Sequence, residues 1–330
     1  MNRIPGSLPV LRKMRPTLRF TIAYVASLGL AGLACATPSD VTVPAQATAV
    51  SADVSAAATS AVANPGTGRE SPPRQTHRAS HHKPPTHDPK AARILDVEGV
   101  GAVTVYAPQG TSKGLALFAS GDGGWNLGVW DMAQTAASLG YVVAGFSTPA
   151  LLKALDTGTG ACSDSAAAME KIGNEVKSAM KLPPDYRPLL IGYSSGATVA
   201  YAALAQAGDT RFSGAMTLGF CPDLIYHKPF CEDTGLTADK QHKPPYGFVF
   251  NTVPRVPAPW IVLQGDIDKV CNPPATVSFV EKVENGKVVS LPHVGHGYGV
   301  PRNWMPQYRA GLIELLRAAA PEPRVAERNR

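Results

Sequence analysis

The serine at position 194 stands in the part of this sequence best suited to nucleophilic chemistry. It lies between Gly192 and Gly196 in a Gly-x-Ser-x-Gly segment. The apolar run Leu189–Ile191 precedes the segment, and the small-residue stretch Ala197–Ala205 follows it. A strand, a sharp turn and a helix in this order lift a serine hydroxyl out of a sheet, and glycines let strand and helix approach closely. The pattern predicts Ser194 as a nucleophile; an ordinary strand-to-helix turn is the alternative.

A serine nucleophile needs a base that takes its proton. Two histidines, His293 and His296, follow a short apolar stretch that ends at Leu291. Because Gly295 and Gly297 flank His296, a tight loop can hold this residue without steric cost. We therefore predict His296 as the base and His293 as a structural or rim imidazole.

The base in turn needs a carboxylate that orients it, and in chain order this acid falls between the serine and the histidine. Asp266 and Asp268 lie there, in the turn after the apolar stretch Trp260–Gln264. The spacing from Gly265 favours Asp268 as the acid. Asp266 is then expected to cap the turn.

A glycine-rich turn, Gly121–Gly124, follows the apolar stretch Leu115–Ser120. Backbone N–H groups in such a turn can converge on the oxyanion of acyl transfer, and each is worth about 3–4 kcal/mol of barrier. We predict the N–H groups of Asp122 and Ser195 as the oxyanion-hole donors. A phosphate-binding loop is the weaker alternative, because the Lys-Ser/Thr pair of a P-loop is missing.

The side chain of Asp122 raises a separate question. A carboxylate beside an oxyanion hole opposes the charge that forms there, unless it points away or binds a cation. One hypothesis is that Asp122 pairs with an ammonium group on the acyl part of the substrate. The alternative is a loop-stabilising aspartate that accepts backbone hydrogen bonds.

Apolar strands alternate with helices over residues 93–320, which predicts an α/β fold with a mostly parallel sheet covered by helices on both faces. Ile94–Tyr106 is predicted as one or two edge strands. The further predicted strands are Leu115–Ser120, Val142–Ser147, Pro188–Tyr193, Ala215–Phe220, Trp260–Gln264 and Lys287–Leu291. The predicted helices are Val129–Leu139, Ala166–Met180, Gly196–Ala207, Pro273–Lys282 and Gln307–Ala318. Pro222–Pro259 shows no helical period and is predicted as an irregular insertion that overhangs the serine.

The ends of the chain differ in composition from the domain at residues 93–320. Residues 1–36 hold five basic side chains, no acidic one and a short apolar run, which is typical of a secretory signal peptide. Ala34-Cys35-Ala36 predicts cleavage to a soluble form, and lipid attachment at Cys35 is the alternative. Residues 37–92 are rich in Ala, Ser, Thr, Pro and His and are predicted to be a disordered linker. Residues 321–330 are predicted to be a flexible tail.

The net charge excludes one class of partner. Of the formal charge of +6, the predicted signal peptide carries five positive charges, and residues 93–330 hold 21 basic and 21 acidic side chains. A neutral domain lacks the electrostatic surface that nucleic acid requires, so we expect no nucleic-acid partner.

Four cysteines lie beyond the predicted signal peptide: Cys162, Cys221, Cys231 and Cys271. In an oxidising compartment an even number indicates disulfides, with three possible pairings. Cys221 and Cys231 bracket a short loop, so we predict this bridge and, with it, Cys162–Cys271. The sequence shows no zinc-type spacing of Cys and His, and we expect neither a metal nor a cofactor.

Three segments together resemble the VirJ/AcvB family of bacterial virulence proteins, which have the α/β-hydrolase fold. These segments are Ser120-Gly121-Asp122-Gly123-Gly124-Trp125, Gly192-Tyr193-Ser194-Ser195-Gly196-Ala197 and Gly295-His296-Gly297. The resemblance covers roughly Gly114–Leu316. It implies Ser194, Asp268 and His296 as the catalytic residues. We further predict that Asp122, Gly123, Trp125 and Tyr193 border the substrate. Family members often have an aromatic residue where this chain has Ser195.

The resemblance also implies a location and a substrate, because family members are periplasmic and some hydrolyse lysyl-phosphatidylglycerol. The expected function is therefore that of a periplasmic serine esterase acting on aminoacylated phospholipid headgroups at the membrane surface. A broader small-ester carboxylesterase is one alternative. The other is a partner protein of a virulence or secretion system that keeps the fold without relying on the chemistry.

Overall fold

The structure is a computed structural model that describes residues 88–208, 211–232 and 235–319. The predicted signal peptide, the predicted linker up to residue 87 and the predicted tail lie outside the described residues. In the described part no helix is long and apolar enough to cross a membrane.

Eleven strands and six helices make up the described part of the chain. The strands are β1 Arg93–Val97, β2 Gly101–Tyr106, β3 Gly114–Ala119, β4 Tyr141–Phe146, β5 Leu189–Tyr193, β6 Gly214–Leu218, β7 Asp223–Leu224, β8 Ala238–Gln241, β9 Gly247–Phe250, β10 Arg255–Gly265 and β11 Glu284–Leu291. The helices are α1 Leu127–Ser138, α2 Thr148–Thr157, α3 Ser165–Met180, α4 Ser195–Gln206, α5 Pro273–Val280 and α6 Met305–Ala319.

Eight of the strands form one sheet in the order β1-β2-β4-β3-β5-β6-β10-β11. β2 runs antiparallel to both of its neighbours, and the other pairs are parallel. The winding reverses at β3, because the chain leaves it for β4 on one side and returns to β5 on the other. Ligands of such sheets bind outside the carboxyl ends of the strands at this reversal. The architecture is the α/β-hydrolase fold, as the sequence predicts.

Both faces of the sheet are buried, which explains the nearly continuous apolar runs of its strands. On β3, Leu115, Leu117 and Ala119 face one core layer, and Ala116 and Phe118 face the other. This alternation is the period of two expected of a strand. Helices α2, α3, α4 and α5 contribute to the first layer, and α1 and α6 to the second.

The insertion Pro222–Pro259 is more regular than predicted. It contains an antiparallel sheet in the order β7-β9-β8 and the first residues of β10. Phe248 and Phe250 of β9 pack with Tyr226 and Phe230 in the first core layer. The prediction of an irregular insertion is therefore wrong. Strands of two to four residues are too short to show a period.

One helix, α2, was absent from the prediction although local signals mark its start. Ser147 caps it, because its side-chain oxygen accepts a hydrogen bond of 3.4 Å from the Ala150 N–H. Pro149 lies in the first turn. A capping serine followed by proline is a typical helix start.

The two disulfides pair differently from the prediction. The structure joins Cys162 to Cys231 and Cys221 to Cys271. Cys162 meets Cys231 because the neighbouring Ser163 donates its N–H to the carbonyl of Pro229 at 2.8 Å. Cys221 and Cys271 follow β6 and β10, which are adjacent parallel strands whose carboxyl ends meet. Proximity along the sequence was the wrong criterion, because strand adjacency decides which cysteines meet.

The last five residues of the segment predicted as linker lie in the described part of the chain, and Asp88 among them packs against the domain. Asp88 is 5% exposed. Its carboxylate accepts hydrogen bonds from the Tyr106 hydroxyl at 2.9 Å and from Gln134 Nε2 at 2.6 Å. Burial and this carboxylate raise the pKa of Tyr106. The described domain thus begins before β1.

Candidate active site

Ser194 occupies a strained turn between β5 and α4. Its φ of 55° and ψ of −125° lie outside the regions that side chains favour, at a cost of about 1–3 kcal/mol. A Cβ on Gly192 would collide with the backbone of Gly196, and one on Gly196 would collide with the carbonyl of Ser120. The Ser194 N–H donates to the carbonyl of Leu218 at 2.9 Å and fixes the turn to β6. Both glycines are therefore required by the close approach of β3, β5 and α4.

The structure brings Ser194, His296 and Asp268 together, as the sequence predicts for a nucleophile, a base and an acid. Ser194 Oγ lies 2.9 Å from His296 Nε2, and His296 Nδ1 lies 2.9 Å from Asp268 Oδ2. The Asp268 side chain is fully buried, and 17% of the His296 side chain is exposed. A carboxylate only accepts hydrogen bonds, so Nδ1 donates to it and Nε2 is left to accept from the serine hydroxyl.

Backbone donors hold the acid in place. Asp268 Oδ1 accepts hydrogen bonds from the N–H groups of Val270 at 2.8 Å and Cys271 at 2.9 Å. Gln264 Nε2 lies 3.3 Å from the other oxygen, Oδ2. These contacts fix the carboxylate in the orientation that receives the imidazole N–H of His296.

Asp266 and His293 connect two loops beside the site. Asp266 Oδ1 accepts a hydrogen bond of 2.7 Å from the His293 N–H. The contact ties the loop after β10 to the loop after β11. Both residues are exposed. Asp266 is predicted to cap its own turn, and its carboxylate instead bonds the neighbouring loop, where His293 is exposed.

Three further residues position the loop of the base. The Tyr193 hydroxyl donates to the His296 carbonyl at 3.0 Å. The Tyr298 hydroxyl donates to the Leu263 carbonyl at 2.6 Å. Gly219 adopts a φ of +61°, and a Cβ there would lie 3.2 Å from the imidazole of His296. The sequence predicts Tyr193 as a residue that borders the substrate, and it does not predict roles for Gly219 and Tyr298. Gly219 comes just after β6, which is the neighbour of β5 in the sheet, and this position could have indicated that it lies near Ser194.

The glycine-rich turn Gly121–Gly124 lies against the nucleophile. A Cβ on Gly121 would come within 3.1 Å of Ser194 Cβ. The Gly124 N–H donates to the Gly121 carbonyl at 3.0 Å and closes the turn. Ser195 is the first residue of α4, at the end where backbone N–H groups point away from the helix. The residues predicted as oxyanion donors, Asp122 and Ser195, therefore stand on the two segments that flank Ser194.

Asp122 and Gly123 are exposed at this turn. Burial raises the pKa of Tyr193, and the carboxylates of Asp268 and Asp122 raise it further. Asp122 is thus close enough to act electrostatically on the residue that precedes the nucleophile.

Trp125, which is predicted to border the substrate, packs against the sheet. Its ring packs edge-on against Phe118, with ring centroids 5.4 Å apart, and lies against Gly145, where a Cβ would clash with it. Trp125 therefore anchors the glycine-rich turn to β3 and β4. An aromatic residue next to glycines gives no sequence signal that separates an anchor from a binding residue.

One group of metal-ligating residue types occurs at the site. Side-chain atoms of Asp268, Cys271 and His296 lie within 4.8 Å of one another. Cys271 is bonded to Cys221 and offers no thiolate, while the other two side chains bond each other. The group fits a proton-transfer site better than a metal site.

The arrangement can perform nucleophilic acyl chemistry. His296 can take the proton of Ser194 as the hydroxyl attacks a carbonyl, and Asp268 can stabilise the imidazolium that forms. Backbone N–H groups on the two flanking segments can bind the oxyanion.

No protein-family model matches the sequence, and no curated protein matches it. Solved structures with similar folds include the esterase Est1E from Butyrivibrio proteoclasticus, with 15% identity, a TM-score of 0.45, and coverage of 69% of this chain and 99% of that chain. The esterase domain of a Rhodothermus marinus protein has 16% identity, a TM-score of 0.48 and coverage of 69% and 99%. An α/β serine hydrolase without a lid from Xanthomonas campestris has 20% identity, a TM-score of 0.42 and coverage of 72% and 99%. Because these identities and TM-scores are low, the fold is assigned from the strand order of this chain. The site is described from this chain's own geometry.

Proposed function

We propose that the protein is a serine ester hydrolase that works through an acyl-enzyme. The observation that carries this proposal is the pair of 2.9 Å contacts that connect Ser194 to His296 and His296 to Asp268. The strained turn at Ser194 supports it, because a backbone conformation of this kind persists where function requires an exposed hydroxyl.

The proposed reaction has two steps. Ser194 Oγ attacks the ester carbonyl, its proton passes to His296 Nε2, and the leaving alcohol takes that proton as the carbon–oxygen bond breaks. Water then attacks the acyl-enzyme, gives a proton to the imidazole and releases the acid as Ser194 is restored. The N–H groups of Asp122 and Ser195 hold the oxyanion in both steps.

The proposed substrate is an aminoacyl ester of phosphatidylglycerol, of the lysyl-phosphatidylglycerol type. The motif resemblance to the VirJ/AcvB family supports this choice. Asp122 supports it as well, because its exposed carboxylate lies near the nucleophile and an aminoacyl group carries an ammonium ion. The products would be the free amino acid and phosphatidylglycerol.

The proposed place of action is a membrane surface in the periplasm. Two disulfides are compatible with an exported protein. Among the described residues, three exposed large apolar side chains lie in the segments after β10 and β11, which also carry Asp268 and His296. These side chains are Ile267, Val270 and Val300. Exposed apolar residues grouped around a site favour contact with a lipid surface or a protein partner.

The test is the release of free amino acid from purified lysyl- and alanyl-phosphatidylglycerol in vesicles. The wild type is expected to release both, and Ser194→Ala neither. An unmodified phosphatidylglycerol vesicle and a small aryl acetate serve as controls for the substrate.

The outcomes separate the alternatives. Serine-dependent cleavage of the aryl acetate alone would leave a broader small-ester carboxylesterase and refute the lipid substrate. If the wild type hydrolysed none of these esters, the proposal of an ester hydrolase would be refuted. A role as a partner protein of a secretion system would then be favoured.

A further inference from the structure

The disulfide between Cys221 and Cys271 joins the segment after β6, which lies beside the imidazole of His296, to the turn after β10 that carries Asp268. Cys271 follows the turn that carries Asp268, and its N–H donates to Asp268 Oδ1 at 2.9 Å. Cys221 comes two residues after Gly219, where an added Cβ would lie 3.2 Å from the imidazole of His296. The covalent bond therefore connects the carboxyl ends of β6 and β10 beside the acid–base pair.

The turn around the acid has little apolar anchoring of its own. Ile267 is 55% exposed and Val270 is 67% exposed, so neither side chain holds the turn to the core. The buried side chains of the turn are Asp268 and Cys271. Since Asp268 is the group that must be positioned, Cys271 is the buried side chain that ties the turn to another segment, and the exposed Asp266 adds its hydrogen bond with the His293 N–H.

The other end of the disulfide is attached to rigid elements. The Cys221 carbonyl accepts a hydrogen bond of 2.8 Å from Thr198 Oγ1 on α4, the helix that begins beside the nucleophile. The Phe220 carbonyl accepts one of 2.8 Å from Thr276 Oγ1 on α5. Cys221 is therefore a fixed point from which Cys271 can hold the acid.

We infer that the Cys221–Cys271 disulfide is a positioning element of the active site, which keeps the Asp268 carboxylate within hydrogen-bonding distance of His296. Its catalytic consequence rests on the proposed function, whereas its effect on the turn does not. Because disulfides persist in oxidising compartments, the site has its full geometry only where this bond forms.

The second disulfide offers a matched control. Cys162–Cys231 spans 69 residues and Cys221–Cys271 spans 50, so the two constrain the unfolded chain to a similar degree. The first attaches the insertion to the residues before α3. In the described domain it makes no hydrogen bond to Asp268 or to His296.

The experiment compares C221A/C271A and C162A/C231A with the wild type by two readouts. Hydrogen exchange is measured at the amides of positions 270 and 271, relative to the intrinsic rate of each sequence, and kcat is measured per active site titrated with a fluorophosphonate. In C221A/C271A we expect exchange at least about 10-fold faster at these amides and kcat about 10- to 100-fold lower, with KM little changed. In C162A/C231A we expect faster exchange in the insertion alone and an unchanged kcat per titrated site.

If C221A/C271A does not fold, folded C162A/C231A is treated with a small dithiol and measured in the same way. Of the two disulfides in the described residues, that variant retains Cys221–Cys271. The two sulfurs of this bond gain two electrons and two protons, and the dithiol becomes its cyclic disulfide.

Unchanged exchange at positions 270 and 271 after loss of the bond would overturn the inference, as would equal losses of kcat per titrated site in both variants. A wild type that neither labels nor hydrolyses esters would refute the proposed function instead. The exchange measurement would still decide whether the disulfide holds the turn.

Discussion

The hydroxyl of Tyr193 donates a hydrogen bond of 3.0 Å to the backbone carbonyl of His296. The residue before the nucleophile therefore holds the loop that carries the base. The two rings lie 5.8 Å apart. Because burial and nearby carboxylates raise the pKa of Tyr193, its phenol keeps its proton and remains a donor at neutral pH.

Replacing Tyr193 by Phe should lower kcat by about 3- to 10-fold, because the loop of His296 loses a hydrogen bond with a net value of about 0.5–1.5 kcal/mol. KM should change little. Steady-state kinetics check this, with Tyr186→Phe as the control. The Tyr186 hydroxyl donates to the Ser112 carbonyl at 2.8 Å, before β5 and away from the site. Equal effects of the two substitutions would contradict a positioning role for Tyr193.

Asp268→Asn should lower kcat by about 10³- to 10⁴-fold, because an amide at this position favours the wrong imidazole tautomer. Asp266→Asn is the matched control two residues away, and its carboxylate faces the His293 N–H at 2.7 Å. We expect Asp266→Asn to cost only a few-fold. If Asp266→Asn proved the more damaging substitution, the assignment of the acid would be wrong.

Asp122→Asn should lower kcat/KM for aminoacyl esters by about 10-fold and leave an acetyl ester of the same alcohol nearly unaffected. The physical reason is the loss of charge opposite the substrate ammonium, at a site partly open to solvent. Kinetics on the paired esters measure this, with Asp131→Asn on α1 as the control. An unchanged preference between the two esters would leave Asp122 as a loop-stabilising residue.

Alkaline pH should weaken the fold. Burial raises the pKa of Tyr201 to about 12 from an ordinary value of 10. Between these pH values the unfolded chain has lost a proton that the folded chain retains, so the free energy of unfolding falls by about 1.4 kcal/mol for each unit by which the pH rises. Urea unfolding at pH values from about 9 to about 12, in steps of roughly one unit, would measure how the free energy of unfolding depends on pH.

Tyr201→Phe should reduce this alkaline slope, and the exposed Tyr246→Phe should leave it as it is. Identical slopes in the wild type and Tyr201→Phe would show that the buried phenol of Tyr201 does not contribute to the pH dependence.

Ser194, Asp268 and His296 could be predicted because the fold restricts which residue types can stand next to them in the sequence. Ser194 needs glycines where β3, β5 and α4 converge, and Asp268 and His296 lie in turns directly after apolar strands. Strands of a doubly covered sheet are apolar throughout, so their ends are easy to locate. The chain order of serine, acid and base then leaves few choices.

Contacts between segments that are distant in the sequence could not be predicted from local residue patterns. The cysteine pairing depends on which strands are neighbours in the sheet. Each short strand of the insertion forms only by pairing with another segment of the insertion. Trp125 illustrates the same limit, because only the structure distinguishes packing against Gly145 from contact with a substrate.

The central claim is that Ser194 is an activated nucleophile, and labelling with a fluorophosphonate followed by peptide mass spectrometry tests it most directly. The account predicts one adduct, on the peptide that contains Ser194, with no labelling of Ser194→Ala and labelling slowed by about 10³-fold or more in Asp268→Asn. A folded wild type that remains unlabelled, or an adduct on another serine such as Ser195, would contradict it.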